Sequence, residues 1–413
     1  MLNWFYSDDY AVDGVTMGSM LQNAGSTEVR ALFWQQKGEA PNGGGDTIGA
    51  PLHDAHVRMV GPAALDLLKT FVERWKDHPD VAGLPANRQT LSGEAMLSSS
   101  QPTAGEQIVQ IGRTFGNGSN HSGIARKRYS FAPQGERTAS MVIAHAIQSA
   151  KRFIYIEDQC FTNANLGKIL IQALPNIEHL TILMPHGSIS DQPDGRPHRH
   201  RIIEALQNAG GEKVRVFCRA KPLTPEQEKQ FAENVQKKKS DDFSKQCATR
   251  NGRNFHGANP HAYIHAKLVI VDDRFASIGS PNCNSRGWTH DSEVTAGVFD
   301  ESHDDTLALH FAHRLRIKVW AEHLRMDTPE GHAELWDGVA SSVHWDRLPP
   351  ISRVVRYNKK DNTQPASASN DPPDYNADKE RLHISVPILR PALDAILVKS
   401  EFFFNTFSDP DGS

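Results

Sequence analysis

Residues 263–293 run YIHAKLVIVDDRFASIGSPNCNSRGWTHDSE and concentrate groups that can handle a phosphodiester. In an extended strand alternate side chains share a face, so His265, Lys267, Val269 and Val271 are expected to point one way. A histidine and a lysine on an otherwise apolar strand are costly to bury without a use. A neutral imidazole at His265 can attack phosphorus. Lys267, Ser280 and Asn282 can hold the non-bridging oxygens as negative charge shifts in the transition state. Glu293 can fix the imidazole tautomer and stabilise the cation. Asp272 stands at the strand end, where Asp-Asp opens a turn. No metal and no cofactor is called for, because the lysine and the polar donors replace one.

Such groups need a rigid frame, and the chain carries the pattern of one. Apolar runs at 153–157, 179–184, 214–218, 263–271 and 294–299 read as strands. Helical stretches at 136–152, 167–174 and 200–209 lie between them. The alternation predicts an α/β fold with a mostly parallel sheet covered by helices. Two pairs of similar segments occur in the same order: LQNAGSTEVRAL (21–32) with LQNAGGEKVRVF (206–217), and HDAHV (53–57) with HDSEV (290–294). They suggest a duplicated unit. Its first copy is about 52 residues shorter, and a Gly- and Pro-rich loop at 35–52 takes the missing place. Residues 224–258 read as an insertion, and 357–380 have the composition of a disordered linker.

The 413 residues carry a formal net charge of −4, which argues against coating nucleic acid by bulk positive charge. Cys160, Cys218, Cys247 and Cys283 are widely spaced, form no CxxC and read as free thiols. The run MLNWFYSDDYAVDG lacks the basic and apolar regions of a cleaved signal peptide. No apolar run reaches the roughly 18 residues of a membrane span. A cytoplasmic protein is expected, with peripheral membrane contact or signal-independent export left open.

The series His265-Ala-Lys267, four residues, Asp272, six residues, then Gly279-Ser280-Pro281-Asn282 resembles the signature of the phospholipase D superfamily. Segments 53–75, 109–115 and 153–161 are similar to those flanking its motifs in lipid-type members. The resemblance implies two pseudo-repeated lobes with mostly parallel mixed sheets flanked by helices. Residues 1–100 would be a truncated first lobe, 101–330 the second lobe with the motif, and 331–413 an extension. It also implies a phospholipid substrate at a membrane surface and headgroup hydrolysis or transfer through a phosphohistidine on His265, releasing phosphatidic acid.

In that family two motifs meet, and a second histidine protonates the leaving alcohol. Here the H-x-K at 265–267 stands alone. Asp54 or His56 would then be the remnant of the first half, with Asp54 favoured as an orienting partner. The site could be completed by a homodimer, by His53 or His56 as acid, or not at all in a deleted form with little turnover. Rival readings are a lipid- or partner-binding protein that keeps half a site, and a superfamily nuclease. The resemblance also admits a bacterial effector delivered into rival cells. The His- and Arg-rich segment 186–201 could bind a headgroup at a helix start, or be a solvated loop.

Overall fold

A computed structural model of the chain describes residues 2–7, 52–91, 93–99, 102, 107–116, 129–185, 196–219, 263–300, 310–349 and 352–357. The first LQNAG copy, nearly all of the 35–52 loop, the 224–258 insertion, most of 186–201 and all but the first residue of the expected linker lie outside the described residues.

Two sheets are present among the described residues. A small one joins β1 (Leu2–Ser7), β2 (Leu52–Met59) and β8 (Tyr263–Ile264). The large one draws on β3 (Ile108–Phe115), β4 (Glu136–Arg137), β5 (Phe153–Asp158), β6 (His179–Pro185), β7 (Val214–Arg219), β9 (Lys267–Val271), β10 (Phe275–Gly279), β11 (Glu293–Phe299) and β12 (Val354–Arg356). Its order is β12-β7-β6-β5-β9-β10-β11-β3-β4. The α/β class and the helix-flanked mixed sheet agree with expectation, but the strand directions do not. Only β5–β6 and β6–β7 run parallel in the large sheet; its other neighbours are antiparallel. Part of the reason is local: β9 and β10 are joined by a tight turn, and such a hairpin can only pair its strands antiparallel.

β5 and β6 are buried along their whole length because both faces of the sheet are covered. On one face Ile154, Ile156, Val269 and Val271 pack against α2 (Thr138–Gln148), α3 (Ala164–Ala173) and α4 (Arg196–Gly210), through residues such as Ile147, Leu170 and Leu206. On the other, Tyr155, Leu183, Phe217, Leu268 and Ile270 meet Leu315 and Trp320 of α5 (Phe311–Leu324). The expected strand alternation is therefore real at 268–271. Leu335, Trp345 and Val354 join this second core, so part of the expected extension belongs to the same body. Cys160, Cys218 and Cys283 are buried. Among the described residues no helix is long and apolar enough to cross a membrane.

The expected single strand 263–271 is instead two, β8 and β9, broken at His265–Ala266. The cause is one acceptor: the His53 carbonyl on β2 takes hydrogen bonds from the amides of both His265 (2.7 Å) and Ala266 (3.1 Å). His265 thus sits where the chain passes from the small sheet to the large one.

Candidate active site

A cavity of about 530 Å³ opens at this junction. One wall is β2, with Asp54, His56, Val57 and Met59, backed by Leu67 of α1 (Ala64–Lys76). His265 and Lys267 enter at the start of β9, and Ser280, Asn282 and Val294 close the far side. Gly279 permits that closure, since a Cβ there would lie 2.5 Å from the Val294 carbonyl and from Thr295 Cα.

Nδ1 of His265 lies 2.7 Å from Oδ2 of Asp54. With the ring N–H given to this carboxylate, Nε2 keeps its lone pair. Burial works against the Asp54 charge, but the hydrogen bond and charge of His265, the charge of Lys267 and the Ala55 amide outweigh it, holding Asp54 below the usual carboxylate range. The sequence reading gave the orienting of His265 to Glu293 and kept Asp54 as the orienting remnant of the first half. The structure gives that contact to Asp54, because β2 runs beside β8 while Glu293 turns to the Ser280 hydroxyl.

Lys267 pairs in register with Asp158 and donates to Gln159 Oε1 (3.0 Å) and the His265 carbonyl. Burial pulls its ammonium pKa down, against the raising effect of Asp54, Asp158 and Glu293. Asn282 lines the cavity with Oδ1 buried and unpartnered; a phosphoryl oxygen only accepts, so it is the Asn282 NH₂ that could donate to one. Ser280 Oγ accepts the Val294 amide at 3.0 Å and lies against Glu293. Burial pushes Glu293 up to about 7, helped by Asp291 and opposed by Ser280, Lys267 and Arg286.

Asp272 corrects the expectation that groups it with the reacting residues. It does not line the cavity; its carboxylate accepts the amides of Lys151 (2.7 Å), Arg152 (2.8 Å) and Phe153 (2.8 Å) and ties the β9–β10 turn to the start of β5. Asp272 and Asp273 take φ of 55° and 59°, as a hairpin turn of this hand requires. Asp272→Asn keeps the turn but loses charge-assisted bonds. It should cost about 1–3 kcal/mol in denaturant unfolding, without changing the turnover of molecules that remain folded.

Sequence reasoning missed the supports. Gln159 follows β5 within the segment 153–161, and its signal was the polar residue after a buried strand. Buried Asp158 accepts the amides of Cys160, Phe161 and Cys283, stapling the loop of Gln159 to that of Asn282. Arg199, in the segment considered for headgroup binding, is instead buried and donates to the carbonyls of Cys160 and Gln159.

His56 lines the cavity, whereas His53 is buried beneath it. His53 bonds Glu157 (2.8 Å), which also accepts from His323 (2.9 Å) and Tyr155 (2.6 Å). His53, Glu157 and His323 have the spacing of metal ligands. However, Arg219 lies 2.8 Å from His323 Nδ1, which must therefore accept, so Nε2 carries the proton given to Glu157. That nitrogen is not free for a metal, and the trio reads as a pedestal under the His53 carbonyl.

A helix-flanked mixed sheet with a His–Asp pair, a lysine and an asparagine on one cavity defines the class as an α/β protein with a cluster of polar and ionisable side chains in a cleft. A family model described as phospholipase D matches residues 19–173, and one described as cardiolipin synthase, PLD-like domain, matches 143–315. The chain belongs to the phospholipase D superfamily. Phospholipase D alpha 3 of Arabidopsis thaliana is 25% identical, over 67% of this chain and 40% of the relative. Phospholipase D alpha 2 of Oryza sativa subsp. japonica is likewise 25% identical, with the same coverage. The chain thus spans about 40% of the length of these relatives. Among solved structures, a phosphatidylserine synthase of Haemophilus influenzae aligns at 13% identity and TM-score 0.38, over 73% of this chain and 64% of that one.

Proposed function

We propose that this chain is a phospholipase D-type phosphodiesterase that hydrolyses or transfers phospholipid headgroups through a phosphohistidine on His265. The observation that carries this reading is the Asp54–His265 pair beside Lys267 on one cavity. His265 Nε2 would form a P–N bond as the P–O bond to the headgroup breaks, with Asp54 balancing the cation and Lys267 and Asn282 holding the phosphoryl oxygens. Water or an alcohol then displaces the histidine. The apolar wall of Val57, Met59, Leu67 and Ile278 favours the diacylglycerol side of a lipid over a nucleic acid strand.

The test is headgroup release from mixed phospholipid vesicles over a range of protein concentrations, with His265→Ala as the blank. Release that needs His265 is expected. A rise linear in protein means one chain is sufficient; a steeper rise means a second chain completes the site. No release above the blank sinks the reading and leaves a lipid- or partner-binding protein.

A further inference from the structure

A P–O bond to an alkyl alcohol breaks slowly unless the leaving oxygen receives a proton, and this chain has no second H-x-K to provide it. Asp54 is committed to His265 and held ionised, so it is not the donor. Glu293 stands behind the lining and is joined by a hydrogen bond to Ser280, which does line the cavity. We propose that Glu293, acting through the Ser280 hydroxyl, supplies the proton to the leaving oxygen and recovers it from the incoming water or alcohol. This rests on the phosphodiesterase reading above.

The geometry makes the pair a two-state relay. A hydroxyl has two acceptor sites and one proton. The Val294 amide occupies one acceptor site of Ser280 Oγ at 3.0 Å. When Glu293 is ionised, the Ser280 proton points to its carboxylate and nothing is offered to the cavity. When Glu293 is protonated it fills the second acceptor site, and the Ser280 proton is free for a ligand. Among the described residues Glu293 takes part in no ion pair within 4.0 Å that would lock it ionised. The charges around it are Lys267 and Arg286, which favour the carboxylate, and Asp291, which opposes it. Burial tips the balance and brings its pKa to about 7, where a proton donor and acceptor works at neutral pH.

The steps balance. As His265 Nε2 bonds phosphorus, the departing oxygen takes the Ser280 proton, Ser280 takes that of Glu293, and Glu293 is left a carboxylate. When water attacks and the P–N bond breaks, its proton returns through Ser280 to Glu293.

The experiment compares wild type, Glu293→Gln and Ser280→Ala on phosphatidylcholine and on phosphatidyl-p-nitrophenol, which share the phosphatidyl half. Choline needs a proton to leave; p-nitrophenolate leaves as an anion. Glu293→Gln is expected to slow choline release by about 10²–10⁴-fold and to spare the first-turnover burst of p-nitrophenol, with Ser280→Ala behaving alike. Wild-type choline release should fall as pH rises through about 7, and the burst should not follow. Equal losses on both substrates, or no loss on choline, overturn the relay while the phosphodiesterase reading stands. If wild type releases neither product, that reading falls and the relay with it.

Discussion

Asp54→Asn is expected to slow headgroup release by about 10⁴-fold, the scale seen when a histidine loses the carboxylate that fixes its tautomer. The contact is short, 2.7 Å from Nδ1 to Oδ2, and the other Asp54 oxygen is held by the Ala55 amide at 2.9 Å. An asparagine in this place can turn its NH₂ toward Nδ1, which puts the ring proton on Nε2 and removes the attacking lone pair. It would also leave the cation of the proposed phosphohistidine without a counter-charge. Asp54 is not fully buried, so the unfolding free energy should move by no more than about 0.5 kcal/mol. His265→Ala should be at least as damaging, and the double variant no slower than the worse single one, because the two residues act as a unit. Additive losses, or a fall in folded fraction that accounts for the loss of activity, would show that Asp54 acts on the fold instead.

That His265, Lys267, Ser280 and Asn282 share one cavity was legible because a hairpin brings them together at fixed spacing. Asp54 was legible as an orienting remnant of the first half, but its pairing with His265 was not, since it lies 211 positions earlier and on another sheet. Glu293 was close in sequence and of the right chemistry, but its place on β11 turns it to Ser280. Asp272 shows the reverse case: a residue inside the signature serves the turn, because three amides at the start of β5 converge on it. Strand alternation gave the two faces of β9 correctly, yet could not foresee the break at His265–Ala266, where the His53 carbonyl captures two amides. Strand direction was lost for a similar reason. Where a chain re-enters a sheet depends on its connections, and apolar runs read alike both ways. The pedestal of His53, Glu157 and His323 draws on three distant segments, and each residue alone looks ordinary.

The hairpin that carries Lys267 is anchored at its opposite end by a buried charge pair, and breaking that pair should cost about 3–5 kcal/mol. Asp273 Oδ1 receives Arg316 Nε at 2.7 Å and Oδ2 receives Nη2 at 3.0 Å, with neither side chain exposed. Arg316 also donates to the carbonyls of Leu335 and Trp336, and its guanidinium lies 4.9 Å from the Trp320 ring centre. Asp273→Asn keeps the left-handed backbone that asparagine tolerates, so its effect isolates the charge. It strands a guanidinium in the core with only neutral acceptors. Asp273→Ala should be worse still, since alanine adds strain at φ 59°. Combining Asp273→Asn with Arg316→Met should recover part of the loss, because no buried charge then remains unpaired. Denaturant unfolding of the three variants checks this, and an unchanged midpoint for Asp273→Asn would sink it. β9 and β10 have their turn at Asp272–Asp273 and their cavity-lining groups, Lys267 and Ser280, at the other end. Variants at the turn should therefore lower the unfolding midpoint and leave release per folded molecule intact, whereas Asp54→Asn should do the opposite. That crossed pattern separates what holds the hairpin from what the hairpin holds.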